Sequence, residues 1–103
     1  MLPPLRMKVL KALLETVIMI NLKHEPLCGY DLLLTFNDKL GVSLSPGTVY
    51  AALSNMERDG LISSELHTRK RVYELTDEGK KALDAVLDDV EDLHEFISNL
   101  LLM

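Results

Sequence analysis

Ser45-Pro46-Gly47-Thr48-Val49-Tyr50-Ala51-Ala52-Leu53-Ser54-Asn55-Met56-Glu57-Arg58-Asp59-Gly60 is the segment from which the architecture follows. Ser45 offers a side-chain oxygen to the free amides of a helix start. Pro46 suits the first helical position, where its missing N–H has no partner. Gly60 stops the helix. Between these limits Val49, Ala52, Leu53 and Met56 fall on one face and are expected to be buried. Gly47, Ala51, Ser54 and Arg58 fall on the opposite face, with Thr48, Tyr50 and Asn55 on the flanks.

On the N-terminal side of this segment, a second helix is expected from about Cys28 to Leu40. Its Leu32, Leu33, Phe36 and Leu40 keep helical spacing, and Gly41 is placed to terminate it. A short turn, Gly41 to Leu44, leads into the helix that starts at Ser45. Earlier still, Leu10, Leu13, Leu14, Val17 and Ile18 predict one amphipathic helix from just after Pro3-Pro4 to near Leu22. Pro26 disfavours helix at Glu25. On the C-terminal side, the β-prone stretches Leu61–Leu66 and Val72–Leu75 flank a polar basic tip, His67-Thr68-Arg69-Lys70-Arg71, and read as a hairpin. No Asn-Gly or Gly-Gly pair specifies its turn. Thr76-Asp77-Glu78-Gly79 then opens one long last helix, with Thr76 as cap and acids at its positive end. Leu83, Val86, Val90, Leu93, Ile97 and Leu100 recur in that helix as a heptad seam.

Three helices, a hairpin and a long helix define a mainly α (α+β) fold. It is a winged helix-turn-helix with a two-stranded β wing and a long C-terminal dimerisation helix. Residues 1–75 are expected to form the winged helix-turn-helix, and residues 76–103 the dimerisation helix of the same compact domain. A chain of 103 residues suits a single core, and 48% hydrophobic content is too high for a disordered chain. The N-terminus lacks a basic region followed by a long apolar stretch. The apolar run Leu13–Leu22 is too short to span a bilayer and contains Glu15. These features predict a soluble, cytoplasmic protein with no membrane partner.

The net charge of −5 would argue against nucleic acid if it were evenly spread. It is not: residues 1–75 carry +1, and residues 76–103 carry −6. The acidity sits in the last helix, which leaves the remainder free to form a local basic surface. The small, neutral outer face of the third helix can sit deep in a major groove, where base edges are read. Amides near Ser45 to Thr48 can donate to a phosphate. Tyr50 and Asn55 can bond a phosphate or a base, and Arg69, Lys70 and Arg71 can grip the backbone. The candidate DNA-binding residues are therefore Tyr30, Ser45, Pro46, Gly47, Thr48, Tyr50, Ala51, Ser54, Asn55, Arg58, Arg69, Lys70 and Arg71. The heptad residues Leu83, Val86, Val90, Leu93, Ile97 and Leu100 are the candidate dimerisation set. A two-fold dimer would place two third helices in successive major grooves of a palindromic site.

Other chemistries find little support. His24, His67 and His94 follow no metal spacing, and with a single cysteine a structural zinc site has little support. Cys28 is read as a small buried residue at a helix start rather than a redox sensor. There is no nucleophile elbow, phosphate loop or metalloprotease motif. No enzyme activity, metal or cofactor is expected. The alternative to a DNA-binding regulator is a winged-helix protein–protein interaction module without DNA binding.

Four segments resemble PadR-type transcriptional regulators. They are Cys28-Gly29-Tyr30-Asp31-Leu32, Leu44 through Leu53, Met56-Glu57-Arg58-Asp59-Gly60-Leu61-Ile62, and Arg71-Val72-Tyr73-Glu74-Leu75-Thr76-Asp77-Glu78-Gly79. The resemblance covers most of the chain. It implies a dimeric winged-helix repressor of the short subtype, with a single C-terminal helix for dimerisation. It implies that Tyr30, Ser45, Gly47, Thr48 and Tyr50 lie near DNA. It also extends to a small-molecule effector bound near the dimer interface, although no tryptophan is present to stack on a planar ligand. The residue before Gly29, often histidine in this family, is Cys28 here, and the wing tip is shorter than in many members.

Overall fold

The computed structural model describes residues 4–103. The expectations drawn from Met1, Leu2 and Pro3 lie outside the described residues. The capped helix that begins after Ser45, here α4, runs Pro46–Arg58. The Ser45 hydroxyl accepts from the Thr48 amide at 3.2 Å, and Pro46 takes the first helical position. At the other end Gly60 adopts φ 81, which a residue with a Cβ resists. This lets the Gly60 amide reach the Glu57 carbonyl at 3.1 Å and the Leu61 amide reach the Met56 carbonyl at 3.0 Å. That pair of bonds satisfies carbonyls which the helix end would otherwise leave open. Val49, Ala52, Leu53 and Met56 are all buried, as their spacing predicts.

Three helical segments precede α4: α1 Leu5–Ala12, α2 Leu14–His24 and α3 Gly29–Leu40. The single first helix expected from the sequence is thus two, separated at Leu13 (φ −104, ψ 11). Hydrogen bonding continues across the bend, from the Leu13 amide to Val9 and from the Val17 amide to Leu13. No proline or glycine marks that bend in the sequence. A short strand, β1 Leu27–Cys28, lies between α2 and α3. The wing strands are β2 Ile62–His67 and β3 Lys70–Leu75. β3 is central and antiparallel to both neighbours, in the order β1-β3-β2. The sheet therefore has three strands where the sequence predicts two; Cys28 pairs with Val72 and Leu27 with Tyr73.

The C-terminal segment is α5 Asp77–Leu87 followed by α6 Val90–Leu101. The continuous last helix is corrected to these two, with the break at Asp88-Asp89. Carboxylates are unfavourable at the negative end of α5 and favourable at the positive start of α6, where Glu91 and Asp92 follow. α5 is bound into the fold at its start. Thr76 Oγ1 accepts from the Gly79 amide at 3.0 Å and donates to the Gly60 carbonyl at 2.6 Å. One core gathers α2 (Leu14, Ile18, Met19, Leu22), α3 (Leu32, Phe36), α4 and the sheet (Ile62, Tyr73, Leu75), and it ends on Leu83 of α5. α6 buries none of its residues.

Phe36 is fully enclosed where α3 meets this core. Phe36→Ala is expected to lower stability by about 3–5 kcal/mol, measured by urea unfolding. A loss below about 1 kcal/mol would mean that the site collapses onto the gap or that the ring is not enclosed.

Candidate nucleic-acid interface

The outer face of α4 is assembled by the burial of its inner face. With Val49, Leu53 and Met56 inside, Gly47, Ala51, Ser54, Asn55 and Arg58 are exposed, together with Ser45 and Pro46 at the start. Thr48 is half-buried and its hydroxyl lies 2.8 Å from that of Ser45. Both hydroxyls are thus occupied with the helix cap, the Thr48 and Val49 amides donate to Ser45, and what the start of α4 offers a phosphate is the Gly47 amide. Arg58 donates to Asn55 Oδ1 at 2.7 Å, so the one cation on this helix is held along its own surface. Tyr50 is 43% exposed and leans toward the start of α3, where its ring lies against Gly29. Tyr30, the next residue on α3, is exposed.

The wing differs from the expected basic tip in one respect. Only Thr68 and Arg69 form the turn, and Thr68 has φ 58, an uncommon value for a β-branched residue. Lys70 and Arg71 belong to β3, where consecutive side chains point to opposite faces. Arg71 shares the face of Ser64 and Tyr73, which is turned toward α4. It donates to Ser64 Oγ at 3.0 Å, and Ser64 in turn donates to Glu57 Oε2 at 2.6 Å. This chain of polar contacts ties the wing to the last turns of α4. Lys70 lies on the other face, opposite His67, near enough to Asp31 to act on its charge. Arg69, Lys70 and Arg71 are all exposed, but they form three stations rather than one cluster.

Two ionisable groups report on the packing around this surface. The Cys28 thiol and amide both donate to Asp31 Oδ2 at 3.1 Å. These bonds hold the Asp31 carboxyl below its ordinary value, and the charge of Lys70 lowers it further. Burial pushes the Tyr73 phenol up, and Glu57 adds to the effect. Sequence reasoning missed Gly29, Ser64 and Glu57, whose partners lie on other elements. It also missed Lys11 of α1, which lines a concavity beside α4 with Thr48, Ala51 and Asn55.

Of the candidate dimerisation residues, Leu83 is 1% exposed and packs in the core of its own chain. Val86 is half-buried above that core. Val90, Leu93, Ile97 and Leu100 lie on α6, beyond the break. Phe96, Leu101 and Leu102, which the heptad pattern does not include, add to the exposed apolar surface there. Among the described residues no helix is long and apolar enough to cross a membrane, and no group of metal-ligating side chains is gathered.

A helix-turn-helix of α3 and α4, followed by a β hairpin, is the architecture of the winged-helix transcription regulators. Residues 18–85 match the transcriptional regulator PadR-like family, and the chain belongs to that family. It is one of regulators and not of enzymes. The fold is similar to that of a PadR-like transcriptional regulator from Bacillus cereus, with TM-score 0.80 and 26% identity over 91% of this chain and 96% of that one. It is also similar to Bacillus subtilis PadR, solved in complex with operator DNA. There the TM-score is 0.66 and the identity 30%, over 73% of this chain and 47% of that one. Among curated proteins it is similar to the transcriptional activator GvpE1 of Halobacterium salinarum, at 30% identity over 61% of this chain. The chain spans about a third of that relative's length.

The Asp31 contacts make a pH prediction. A carboxyl whose folded pKa is depressed adds stability above its unfolded value, and loses it as pH falls through the folded one. The protein is therefore expected to lose a small increment of stability as pH drops from about 5 to below the ordinary carboxylate value. Asp31→Asn should flatten that part of a thermal-unfolding pH profile; an unaltered profile would remove Asp31 from the account.

Proposed function

We propose that this chain is a sequence-specific, double-stranded DNA-binding transcriptional repressor that acts as a homodimer. The observation that carries the reading is the outer face of α4. It is small, exposed and nearly neutral, its start keeps the Gly47 amide outside the cap bonds, and of the exposed wing cations Arg71 is tied to its last turn through Ser64 and Glu57. Such a face fits a major groove, while the wing meets the flanking backbone. Operator DNA bound by Bacillus subtilis PadR supports the same use here. Residues 1–75 would supply the DNA-binding part. Tyr30, Tyr50, Ser54 and Asn55 would meet bases or phosphates, and the wing cations would meet phosphates alone.

Dimerisation is assigned to α6, and a partner helix has a place to go. Leu5, Val9, Leu13, Val17, Leu40 and Val42 line an apolar groove of about 530 Å³ between α1, α2 and the end of α3. α1 carries Arg6, Lys8 and Lys11 and no acid, whereas α6 carries Glu91, Asp92 and Glu95 and no lysine or arginine. Apolar surface and opposite charge therefore suit α6 of one copy to α1 of another. Two copies would present two α4 helices to a palindromic operator. Dimer formation over a promoter would exclude polymerase, hence repression. A small-molecule effector acting near that interface, and a cytoplasmic location, complete the reading.

Duplex binding is tested by replacing Arg69, Lys70 and Arg71 with alanine. Affinity should fall, and the slope of log affinity against log salt should flatten by about 0.9 for each phosphate no longer neutralised. Negligible duplex binding by the unaltered chain at low salt would defeat this reading in favour of a protein-interaction module. For the dimer, Leu93→Asp should convert a dimer mass into a monomer mass in light scattering at micromolar concentration. A monomer before substitution, or a dimer after it, would rule out α6. A reporter whose promoter overlaps the operator should fall in expression; a rise would place the chain with activators such as GvpE1.

A further inference from the structure

We infer that Gly29 is a positioning residue for DNA recognition: its missing side chain makes room for the Tyr50 ring in the pose from which that ring meets the duplex. The inference rests on the duplex-binding reading of α4. Gly29 is the first residue of α3 and is buried. A Cβ placed on it would lie 2.5 Å from Tyr50 Cε1, 2.6 Å from Cζ and 2.8 Å from Oη. Real carbon atoms do not approach so closely without contact repulsion. The phenol end of Tyr50 therefore rests directly on the backbone where α3 begins.

The backbone does not require the glycine. Gly29 does not occupy the left-handed region that Gly41 and Gly60 occupy, so its backbone would accept alanine. It sits in a helix, where alanine is the better helix former. The three nearest atoms that such a Cβ would meet all belong to the Tyr50 ring. That ring is the flexible, half-exposed end of a side chain, so it would swing aside rather than break the fold. The same contact joins the two helices of the helix-turn-helix. Tyr73 of β3 lies near enough for Tyr50 to influence its phenol. A side chain floored by Gly29 and flanked by β3 has its reach set before DNA arrives. Binding then has less side-chain freedom to remove.

The test uses the full chain and a duplex that the unaltered chain selects from a randomised pool. Gly29→Ala is expected to leave the thermal midpoint in place or raise it. It should move the Tyr50 ring signals of the free protein, assigned by Tyr50→Phe. It should weaken binding of the selected duplex about tenfold, the scale of a single side chain withdrawn from a base. In a Tyr50→Ala background the same change should cost less than about twofold, because the obstacle is gone. An equal loss in both backgrounds overturns the inference, as do unmoved ring signals or moved signals with unaltered affinity. A midpoint lowered in both backgrounds also overturns it, since the glycine would then serve the backbone. A pool from which the unaltered chain selects nothing is a distinct result. It defeats the duplex reading itself, while the ring signals still report whether Gly29 sets the pose.

Discussion

Burial of one face of α4 governs how the whole molecule is arranged. Val49, Leu53 and Met56 are wholly excluded from solvent, and α4 packs at once against α2, α3 and β2. A helix is a rigid cylinder with 3.6 residues per turn, so fixing one face fixes the other. The exposed row from Gly47 to Ser54 is thus placed by apolar packing that has no part in recognition. Cap and terminator act in the same direction. Ser45 and Gly60 hold the helix ends, and Gly60 also receives the Thr76 hydroxyl on its carbonyl. The end of α4 and the start of α5 are therefore locked to each other across the entry to the wing.

This arrangement divides labour among residues that a sequence reading groups together. α4 contributes shape, because its hydroxyls cap the helix and its arginine bonds to Asn55. Charge is left to the wing, and within the wing it is spread over a turn and two faces of a strand. Arg71 is the most constrained of the three, through Ser64 to Glu57. An overall negative chain can present such a surface because its excess of acids over bases lies beyond residue 75, while residues 1–75 carry +1. The sign of the total charge is a poor guide here; the position of each charge along the fold is what matters.

Much of the fold was legible because its signals are local. Ser45-Pro46, the Gly41 and Gly60 stops and the period of the buried α4 positions each depend on neighbours within a turn or two, and each appears where expected. What was not legible is non-local or lacks a sequence mark. β1 is two residues long, too short to show alternation, and exists only because β3 is beside it. The bend at Leu13 has no proline or glycine to announce it. The heptad seam from Leu83 to Leu100 is real as a pattern but mixes two environments. Leu83 answers to its own core, and Leu100 at 52% exposure to solvent. Spacing alone cannot tell a core position from an unpartnered one, since both ask for an apolar residue. Gly29 falls within a motif that the sequence displays, but its reason lies in Tyr50, on another helix.

α6 ties the stability of the chain to its state of association. Twelve residues make three turns, a length at which an isolated helix is marginal in water. Helices of that length persist because they pack an apolar stripe, and among the described residues no side chain of the stripe on α6 is fully buried. Phe96 is 62% exposed, and Leu101 and Leu102 continue the same apolar end. The exposed carboxylates of α6 keep the helix soluble but do not hold it together. Under the dimer reading, the energy that orders α6 and the energy that joins two chains are the same burial. Separation of the copies would then loosen α6 while leaving the α2–α5 core, and the α4 face it fixes, intact.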